Sequence, residues 1–362
     1  MASSSSFSST DLFVADHPVG VESRVQDVIN LLYSKQSAGP LLLGICGEGG
    51  IGKTTIAKAI YNKIRHSFSE ESFLLNVGEV WEQDNGHVSL QQQLVYVTGS
   101  RRRVMINSVE LGKRMLQGML PRRKMFLVFD DVNKQEQLDA LCISRRWLCQ
   151  GSIIIITTRD VDLLRRLQVD HVYTMNAMDD NESLELFSWY AFKQRIPREG
   201  FSHSSKCVVE YCRRIPLLLE IIGSFLSNPS RRVWGTVRQK LVNSAGIMKR
   251  LRISVDGLSD DGVREIFLAI ALNLVGMDRD EVIQKLKDGG HSAENGIDVL
   301  VRRRLVTIDS KNRIRMHGLV QDCGREIRRE NSTGMPEVRY GFLRLYLFIV
   351  NVTFMFSSSK IN

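Results

Sequence analysis

Four glycines, a lysine and two threonines stand together in one short segment of the chain, Gly47-Glu48-Gly49-Gly50-Ile51-Gly52-Lys53-Thr54-Thr55. The spacing matches the pattern GxxxxGK followed by Ser or Thr, in which a glycine-rich turn directs backbone N–H groups inward around phosphate oxygens. In that pattern Lys53 would neutralise the β- and γ-phosphates of a nucleotide, and the hydroxyl of Thr54 would hold Mg²⁺. The alternative is a glycine-rich turn that matches by chance, so the neighbouring segments decide between the two.

The segments on either side of this loop have the hydrophobic patterns of a strand and a helix. The apolar run at residues 41–46 predicts a buried strand. After the loop, isoleucines recur every four residues at Ile56, Ile60 and Ile64, which predicts a helix whose amino end faces the anion. Strand, loop and helix therefore agree with a phosphate-binding loop, or P-loop.

A second buried strand, predicted at residues 125–129, ends in two carboxylates, Asp130 and Asp131. A carboxylate at the end of such a strand would meet the metal ion or its water, so Asp130 is a predicted metal ligand together with Thr54. Asp131 is the candidate base for hydrolysis. As an alternative, the two acids cap a turn before a helix predicted at residues 135–141, but this leaves Asp130 unexplained.

A third apolar strand, predicted at residues 152–156, ends in Thr157-Thr158-Arg159. Its end would place Arg159 at the sheet edge where ligands of open α/β folds collect, so the guanidinium is a candidate sensor of the γ-phosphate. The alternative is an exposed arginine paired with Asp160 or Asp162 on the next helix. The alternation of strands and helices over residues 20–175 predicts an α/β class fold with a doubly wound parallel sheet.

The composition excludes some other classes of protein. The 362 residues are 43% hydrophobic and 25% charged, which is ordinary for a globular protein of two or three domains. The formal net charge is +9, but the basic residues form scattered clusters at 101–103, 122–124 and 302–304 without aromatic residues between them. That pattern is typical of solvated faces and helix ends and argues against nucleic acid as a partner.

The cysteines and the two ends of the chain favour a cytoplasmic protein. The 6 cysteines form no CxxC pair, which argues against a disulfide framework or a zinc site. Residues 1–16 are predicted to be a disordered leader, since the Ser-rich start lacks the features of a secretory signal. The apolar run from Phe342 to Phe356 is interrupted by Arg344 and Asn351, and a membrane-spanning helix needs about 20 residues. We therefore favour a non-domain apolar tail over residues 331–362 rather than a membrane anchor.

Eight motifs occur in order along the chain, at residues 17–24, 47–55, 73–77, 127–132, 151–159, 183–187, 215–217 and 316–318. Together they resemble the NB-ARC region of plant intracellular immune receptors, of the class that usually carries an amino-terminal TIR domain. Asn133 stands where the coiled-coil class typically has Trp, which favours the TIR class. The resemblance covers about residues 17–330.

The resemblance implies a switch in plant disease resistance, which holds ADP when closed and opens when ATP replaces it, with Mg²⁺ and at most slow ATPase activity. It implies a P-loop nucleotide-binding domain at residues 17–176, a small helical bundle domain at 177–245 and a winged-helix domain at 246–330. Val19 and Gly20 would line the adenine, Pro216 would contact the base from the bundle, and His317 would reach the β-phosphate of ADP. The residues expected on the phosphates are Gly47, Gly49, Gly50, Ile51, Gly52, Lys53, Thr54, Thr55 and Arg159.

Three positions depart from the family pattern: Arg214 replaces a Gly, Leu218 replaces an Ala, and Gly318 replaces an Asp. The first two changes would each cost about 1 to 3 kcal/mol if the packing is that of the family. The third removes the carboxylate that would orient His317. We therefore expect a loosely packed bundle and a leaky closed state.

Typical members carry a TIR domain before this region and leucine-rich repeats after it, and we expect neither in this chain. No leucine-rich repeat period follows Arg329. The signalling and sensing parts would then come from a partner, such as a full-length immune receptor or another signalling protein. Two alternatives are an adaptor or decoy that binds such receptors without hydrolysis and a nucleic-acid-dependent P-loop ATPase.

Overall fold

The apolar runs that predict strands form one parallel sheet in the computed structural model, which describes residues 11–34, 39–97, 105–227, 230–258, 260–287 and 292–333. The chain divides into two compact units, and the division falls between Met178 and Asp179. The predicted apolar run at 342–356 lies outside the described residues.

The first unit alternates strands with helices. Its elements are α1 (Val21–Ser34), β1 (Leu41–Cys46), α2 (Lys53–Ile64), β2 (Glu70–Leu74), α3 (Val77–Trp81), α4 (Gly86–Val97), α5 (Val109–Met119), β3 (Met125–Phe129), α6 (Gln135–Ala140), β4 (Ile153–Thr158), α7 (Val161–Arg166) and β5 (His171–Thr174). The predicted bounds of β1 and β3 are confirmed. Strand β4 runs two residues beyond its predicted end, because Thr157 and Thr158 pair with Ile45 and Cys46 of β1.

The strand order is β2-β3-β4-β1-β5, and every neighbouring pair is parallel. Strands β1, β3 and β4 are buried at every position, as expected for parallel strands covered on both faces. The predicted α/β class and doubly wound sheet are confirmed. Cys46 at the end of β1 is level with Thr158, and Phe129 at the end of β3 is level with Ile156. The P-loop, the two aspartates and the end of β4 therefore share one edge of the sheet.

The second unit is mainly helical. Its elements are α8 (Asp180–Phe192), α9 (Ser202–Tyr211), α10 (Pro216–Phe225), α11 (Arg231–Val242), α12 (Ile247–Asp256), α13 (Asp261–Ala269) with a π-helical continuation (Ile270–Leu274), α14 (Arg279–Lys287), α15 (Ala293–Arg302), β6 (Thr307–Ile308), β7 (Ile314–Arg315) and α16 (Gly318–Thr333). Helix α8 packs on α9 and α10, while α13 packs on α15 and α16. Strands β6 and β7 form an antiparallel hairpin directly before α16. The domain boundaries at 176 and 245 stay predictions.

The predicted disordered leader needs a correction in its described part. The backbone N–H of Leu12 donates to Asn62 Oδ1 at 2.8 Å, and Asn62 Nδ2 donates to the Leu12 carbonyl at 2.7 Å. Arg65 Nη2 lies 3.1 Å from Asp11 Oδ1, and both side chains are largely buried. Residues 11 and 12 are therefore fastened to the end of α2 and the turn that follows it, whereas residues 1–10 lie outside the described residues.

The two departures in the helical bundle have different consequences in the structure. Arg214, where the family has Gly, adopts a left-handed backbone with φ of 54°, which is an uncommon conformation for a residue with a Cβ atom. Its Nε also pairs with Asp180 Oδ1 at 2.8 Å. Leu218 is fully buried in α10, so the larger side chain is accommodated in the core. Arg214 thus holds a backbone conformation that Gly would adopt more readily.

Candidate functional site

The P-loop connects β1 to α2 through backbone that favours glycine. Gly52 has φ of 103° at the amino end of α2, and Gly50 has φ of 77°. A Cβ atom on Gly47 would lie 3.0 Å from Met175 Cβ and 3.2 Å from the Met175 carbonyl oxygen. A side chain at Gly47 would thus crowd the end of β5, and one at Gly52 would strain the start of α2. Gly49 and Ile51, which lie between Gly47 and Gly52 in the loop, are also buried.

Lys53, the first residue of α2, folds back over the loop. Its Nζ donates to the carbonyl oxygens of Gly47 at 2.7 Å and Glu48 at 3.0 Å, and the residue is only 7% exposed. Burial is the main cause that lowers the pKa of Lys53, and the positive charge of Arg159 lowers it further, while Asp131 opposes the shift. The ammonium group is therefore held at the mouth of the loop by carbonyl oxygens that phosphate oxygens can replace.

Asp130 lies at the centre of a hydrogen-bonded cluster at the ends of β3 and β4. The Thr54 hydroxyl lies 2.9 Å from Asp130 Oδ1 and 3.0 Å from Oδ2, and the Thr157 hydroxyl donates to Oδ1 at 2.7 Å. Asp130 is fully buried, and this burial raises the pKa of its carboxyl, whereas the hydrogen bonds from Thr157 and Thr54 oppose the rise. The structure thus joins the two predicted metal ligands, one from the loop and one from β3.

Asp131 and Arg159 form a second, more exposed pair at the same edge. Arg159 Nε lies 3.7 Å from Asp131 Oδ1, and the two side chains are 43% and 40% exposed. The alternative partners considered for Arg159 are engaged differently: Asp160 pairs with Arg166, and Asp162 pairs with Arg165. Arg159 therefore faces the carboxylate cluster.

The segment before α1 belongs to the same unit. Gly20 has φ of 67°, and its carbonyl oxygen accepts a hydrogen bond from Arg24 Nη1 at 2.7 Å. The backbone N–H of Val19 donates to the His17 carbonyl at 2.9 Å. Since α1 packs on α2 and β5, this tight turn is carried by the elements that also hold the P-loop.

Pro216 and His317 belong to the second unit. Pro216 is the first residue of α10, where its missing N–H costs no helical hydrogen bond. His317 precedes α16, and its Nδ1 accepts a hydrogen bond from the Leu319 N–H at 3.1 Å. In the neutral ring the proton therefore resides on Nε2. The amino end of α16 thus orients His317, although Gly318 offers no carboxylate.

Sequence reasoning missed Thr157. It assigned Arg159 a role but gave none to this threonine, whose hydroxyl bridges Asp130 Oδ1 and the Asp131 N–H, at 2.7 and 2.8 Å. The available signal was a polar side chain at the end of an all-apolar strand, beside a strand that ends in an aspartate. Thr157 and Asp130 become neighbours only because β3 pairs with β4, and the sequence alone does not show this pairing.

The donor set around Asp130 suits Mg²⁺. The two predicted ligands offer oxygen atoms, from the Thr54 hydroxyl and the Asp130 carboxylate. Mg²⁺ prefers oxygen ligands and is commonly held by one or two carboxylates together with phosphate oxygens and water. Thr54 and Asp130 are the residues that would hold it.

Comparison with known proteins gives consistent matches along the chain. The model of the NB-ARC domain matches residues 21–196, and that of the winged-helix domain of Roq1-like disease resistance proteins matches residues 260–332. The chain is 39% identical over 324 residues to disease resistance protein RUN1 of Vitis rotundifolia, and this alignment covers 88% of the chain and 24% of RUN1. It is 35% identical over 318 residues to TMV resistance protein N of Nicotiana glutinosa, and this alignment covers 85% of the chain and 27% of that protein.

Among solved structures, the chain is similar to a signal transduction ATPase with numerous domains and a tetratricopeptide repeat sensor from Pyrococcus horikoshii. The TM-score is 0.52 at 14% identity, over 94% of this chain and 48% of that one, and the likeness shows the fold alone. The chain spans about a quarter of the length of the curated relatives. Among the residues that the structure describes, no helix is both long and apolar enough to cross a bilayer.

Proposed function

We propose that this chain, which matches the NB-ARC domain over residues 21–196 and is similar to plant disease resistance proteins, is a nucleotide-operated switch module that holds ADP at rest and opens when ATP replaces it. Nucleotide binding itself is supported by the NB-ARC domain and the P-loop fold. The observation that carries the proposal is the hydrogen bond from the Thr54 hydroxyl to Asp130, because it joins the P-loop to the acidic end of strand β3 within one site.

The loop would hold the phosphate chain with its backbone N–H groups and with Lys53. The ammonium group already lies at the loop, where it donates to the carbonyl oxygens of Gly47 and Glu48. Phosphate oxygens carry negative charge, so they attract the ammonium group more strongly than the neutral carbonyl oxygens do and compete well for its protons. Gly49, Gly50, Ile51, Gly52 and Thr55 would complete the cradle.

Thr54 and Asp130 would hold Mg²⁺, which when bound supplies positive charge to the phosphates. Asp131 is the candidate base that accepts a proton from the attacking water. Asp131 pairs with Arg159 in the structure. A γ-phosphate that attracts the Arg159 guanidinium would release the Asp131 carboxylate, so the base would become available when ATP is bound. Slow hydrolysis would suit a switch, because the ATP state must last long enough to signal.

The remaining predicted contacts complete the proposal. Val19 and Gly20 would line the adenine, Pro216 would contact the base from the helical bundle, and His317 would reach the β-phosphate of ADP. The module would act in the cytoplasm, with a full-length immune receptor or another signalling protein as its partner. The comparisons do not favour an adaptor without hydrolysis or a nucleic-acid-dependent ATPase.

The direct test is to purify the full chain, denature it and identify the released nucleotide by mass spectrometry. We expect adenine nucleotide at close to one equivalent per chain, most of it ADP. Protein that releases no nucleotide, and binds none when ADP or ATP is added with Mg²⁺, would contradict the proposed switch.

Replacing Gly318 with aspartate is expected to slow ADP release about tenfold or more. A carboxylate beside His317 would add a charge-assisted hydrogen bond of about 1.5 to 3 kcal/mol to the closed state, and 1.4 kcal/mol is about a factor of ten. The measurement is the release rate of a fluorescent ADP analogue.

The control for this variant is Gly318→Ala. An aspartate in the first turn of α16 also favours the helix through its dipole, and any residue other than Gly restricts the unfolded chain. Alanine shares only the second effect, so Gly318→Ala should release ADP at the wild-type rate. Equal release rates for Gly318→Asp and wild type would show that the winged helix does not close on the nucleotide through His317.

A further inference from the structure

Thr157 is a fully buried polar residue at the end of the otherwise apolar strand β4. Its hydroxyl lies 2.7 Å from Asp130 Oδ1 and 2.8 Å from the Asp131 backbone nitrogen. A hydroxyl has one proton to donate, and the Asp131 N–H can only donate. The hydroxyl therefore accepts from Asp131 and must give its own proton to the Asp130 carboxylate, so both hydrogen bonds have a defined direction.

The backbone around Thr157 restricts this hydroxyl. Its carbonyl oxygen accepts a hydrogen bond from the Val132 N–H at 2.9 Å, and β4 pairs on both sides, with β3 and with β1. Asp131, between the two strand ends, adopts a left-handed backbone with φ of 56°. The turn after β3 is thus attached to Thr157 through three hydrogen bonds, one to a carboxylate and two to the backbone.

Thr54 also contacts Asp130, but its position is different. It directly follows Lys53 of the P-loop, where its hydroxyl oxygen would be shared with the metal ion, whereas Thr157 lies in strand β4 of the sheet. Of the two hydroxyls, that of Thr157 can keep its hydrogen bond to Asp130 when Thr54 binds the ion.

We propose that Thr157 is a positioning residue, which orients the Asp130 carboxylate toward Mg²⁺ and fixes the turn that carries Asp131. This inference rests on the proposed nucleotide and Mg²⁺ binding. Residues that orient metal ligands typically affect metal affinity by about 10- to 100-fold when they are changed, although they never contact the metal. The same size of effect is expected here.

The neighbouring Thr158 provides a matched control. It is also fully buried, but its hydroxyl accepts a hydrogen bond from the Asp160 N–H at 3.1 Å. Thr157→Val and Thr158→Val remove the same group from adjacent positions of one strand and keep a β-branched side chain of the same shape. Only the first change removes a hydrogen bond to Asp130. Thr157→Ser keeps the hydroxyl and should restore the wild-type behaviour.

The experiment measures binding of a fluorescent ADP analogue to the full chain, first in EDTA and then over a range of Mg²⁺ concentrations. For Thr157→Val we expect unchanged affinity in EDTA and a half-saturating Mg²⁺ concentration about tenfold higher or more. Thr157→Ser and Thr158→Val should match wild type. If Thr157→Val does not fold, as judged by circular dichroism, Thr157→Ala is measured in the same way and decides the question.

Two results would overturn the inference. One is an unchanged Mg²⁺ dependence in Thr157→Val. The other is an equal loss of affinity with and without Mg²⁺, which would indicate a general structural role. Both leave the proposed function intact as long as wild type binds nucleotide. Wild-type protein that binds no nucleotide in either condition would instead contradict the proposed function itself.

Discussion

Lys53→Ala is expected to purify with little or no bound nucleotide and to bind added ADP at least about ten- to a hundredfold more weakly than wild type. Lys53 is the buried cation of the P-loop, with Nζ 2.7 Å from the Gly47 carbonyl oxygen. Charge-assisted hydrogen bonds contribute about 1.5 to 3 kcal/mol each, and 1.4 kcal/mol is about a factor of ten in affinity. The measurement is the nucleotide released on denaturation, together with calorimetric titration by ADP.

The control for this variant is Lys63→Ala. Lys63 lies on the same helix α2 and pairs with Glu22 at 2.5 Å, with a side chain 40% exposed, so its loss changes the net charge equally but leaves the loop intact. Exposed pairs of this kind contribute about 1 kcal/mol or less to stability. Lys63→Ala should therefore retain its nucleotide. Equal nucleotide contents in wild type and Lys53→Ala would mean that the P-loop is not the binding site.

The sheet was the most predictable part of the molecule. The apolar runs that became β1 and β3 have no polar residue that would place them at the surface, and each is followed by residues with an evident chemical role. Once the strands are parallel, their carboxyl ends must share one edge. The proximity of Thr54 to Asp130 therefore follows from the sequence pattern, even though they are separated by 76 positions.

Features that depend on tertiary contacts were less predictable. No local pattern reveals that the Thr157 hydroxyl donates to Asp130, because this contact depends on the register between strands β3 and β4. The hydrogen bond from the Leu319 N–H that orients His317 likewise depends on where α16 begins. The docking of Leu12 on Asn62 depends on two short segments that are 50 positions apart. In each case a side chain meets a backbone group whose position only the folded chain defines.

Asp130→Asn is expected to separate stability from function. The carboxyl is fully buried, and this burial raises its pKa, opposed by the hydrogen bonds from Thr157 and Thr54. A folded-state pKa above the unfolded-state value means that the folded protein holds the proton more tightly. The free energy of unfolding should then fall as the pH rises from about 3.8, the ordinary pKa of an aspartate, through the folded-state pKa. An amide has no charge to bury, so the variant should lose this part of the pH dependence.

At neutral pH we therefore expect Asp130→Asn to melt no lower than wild type in the absence of nucleotide, while its half-saturating Mg²⁺ concentration for ADP binding rises about tenfold or more. Asp131→Asn is the matched control, because the Asp131 side chain is 40% exposed and its contact with Arg159 is 3.7 Å long. It should keep the Mg²⁺ dependence of wild type and lose hydrolysis. Melting curves over a pH series and Mg²⁺ titrations test both variants. A melting temperature of Asp130→Asn well below that of wild type at neutral pH would show that the carboxylate stabilises the fold. An unchanged Mg²⁺ dependence of ADP binding would show that Asp130 does not hold the metal.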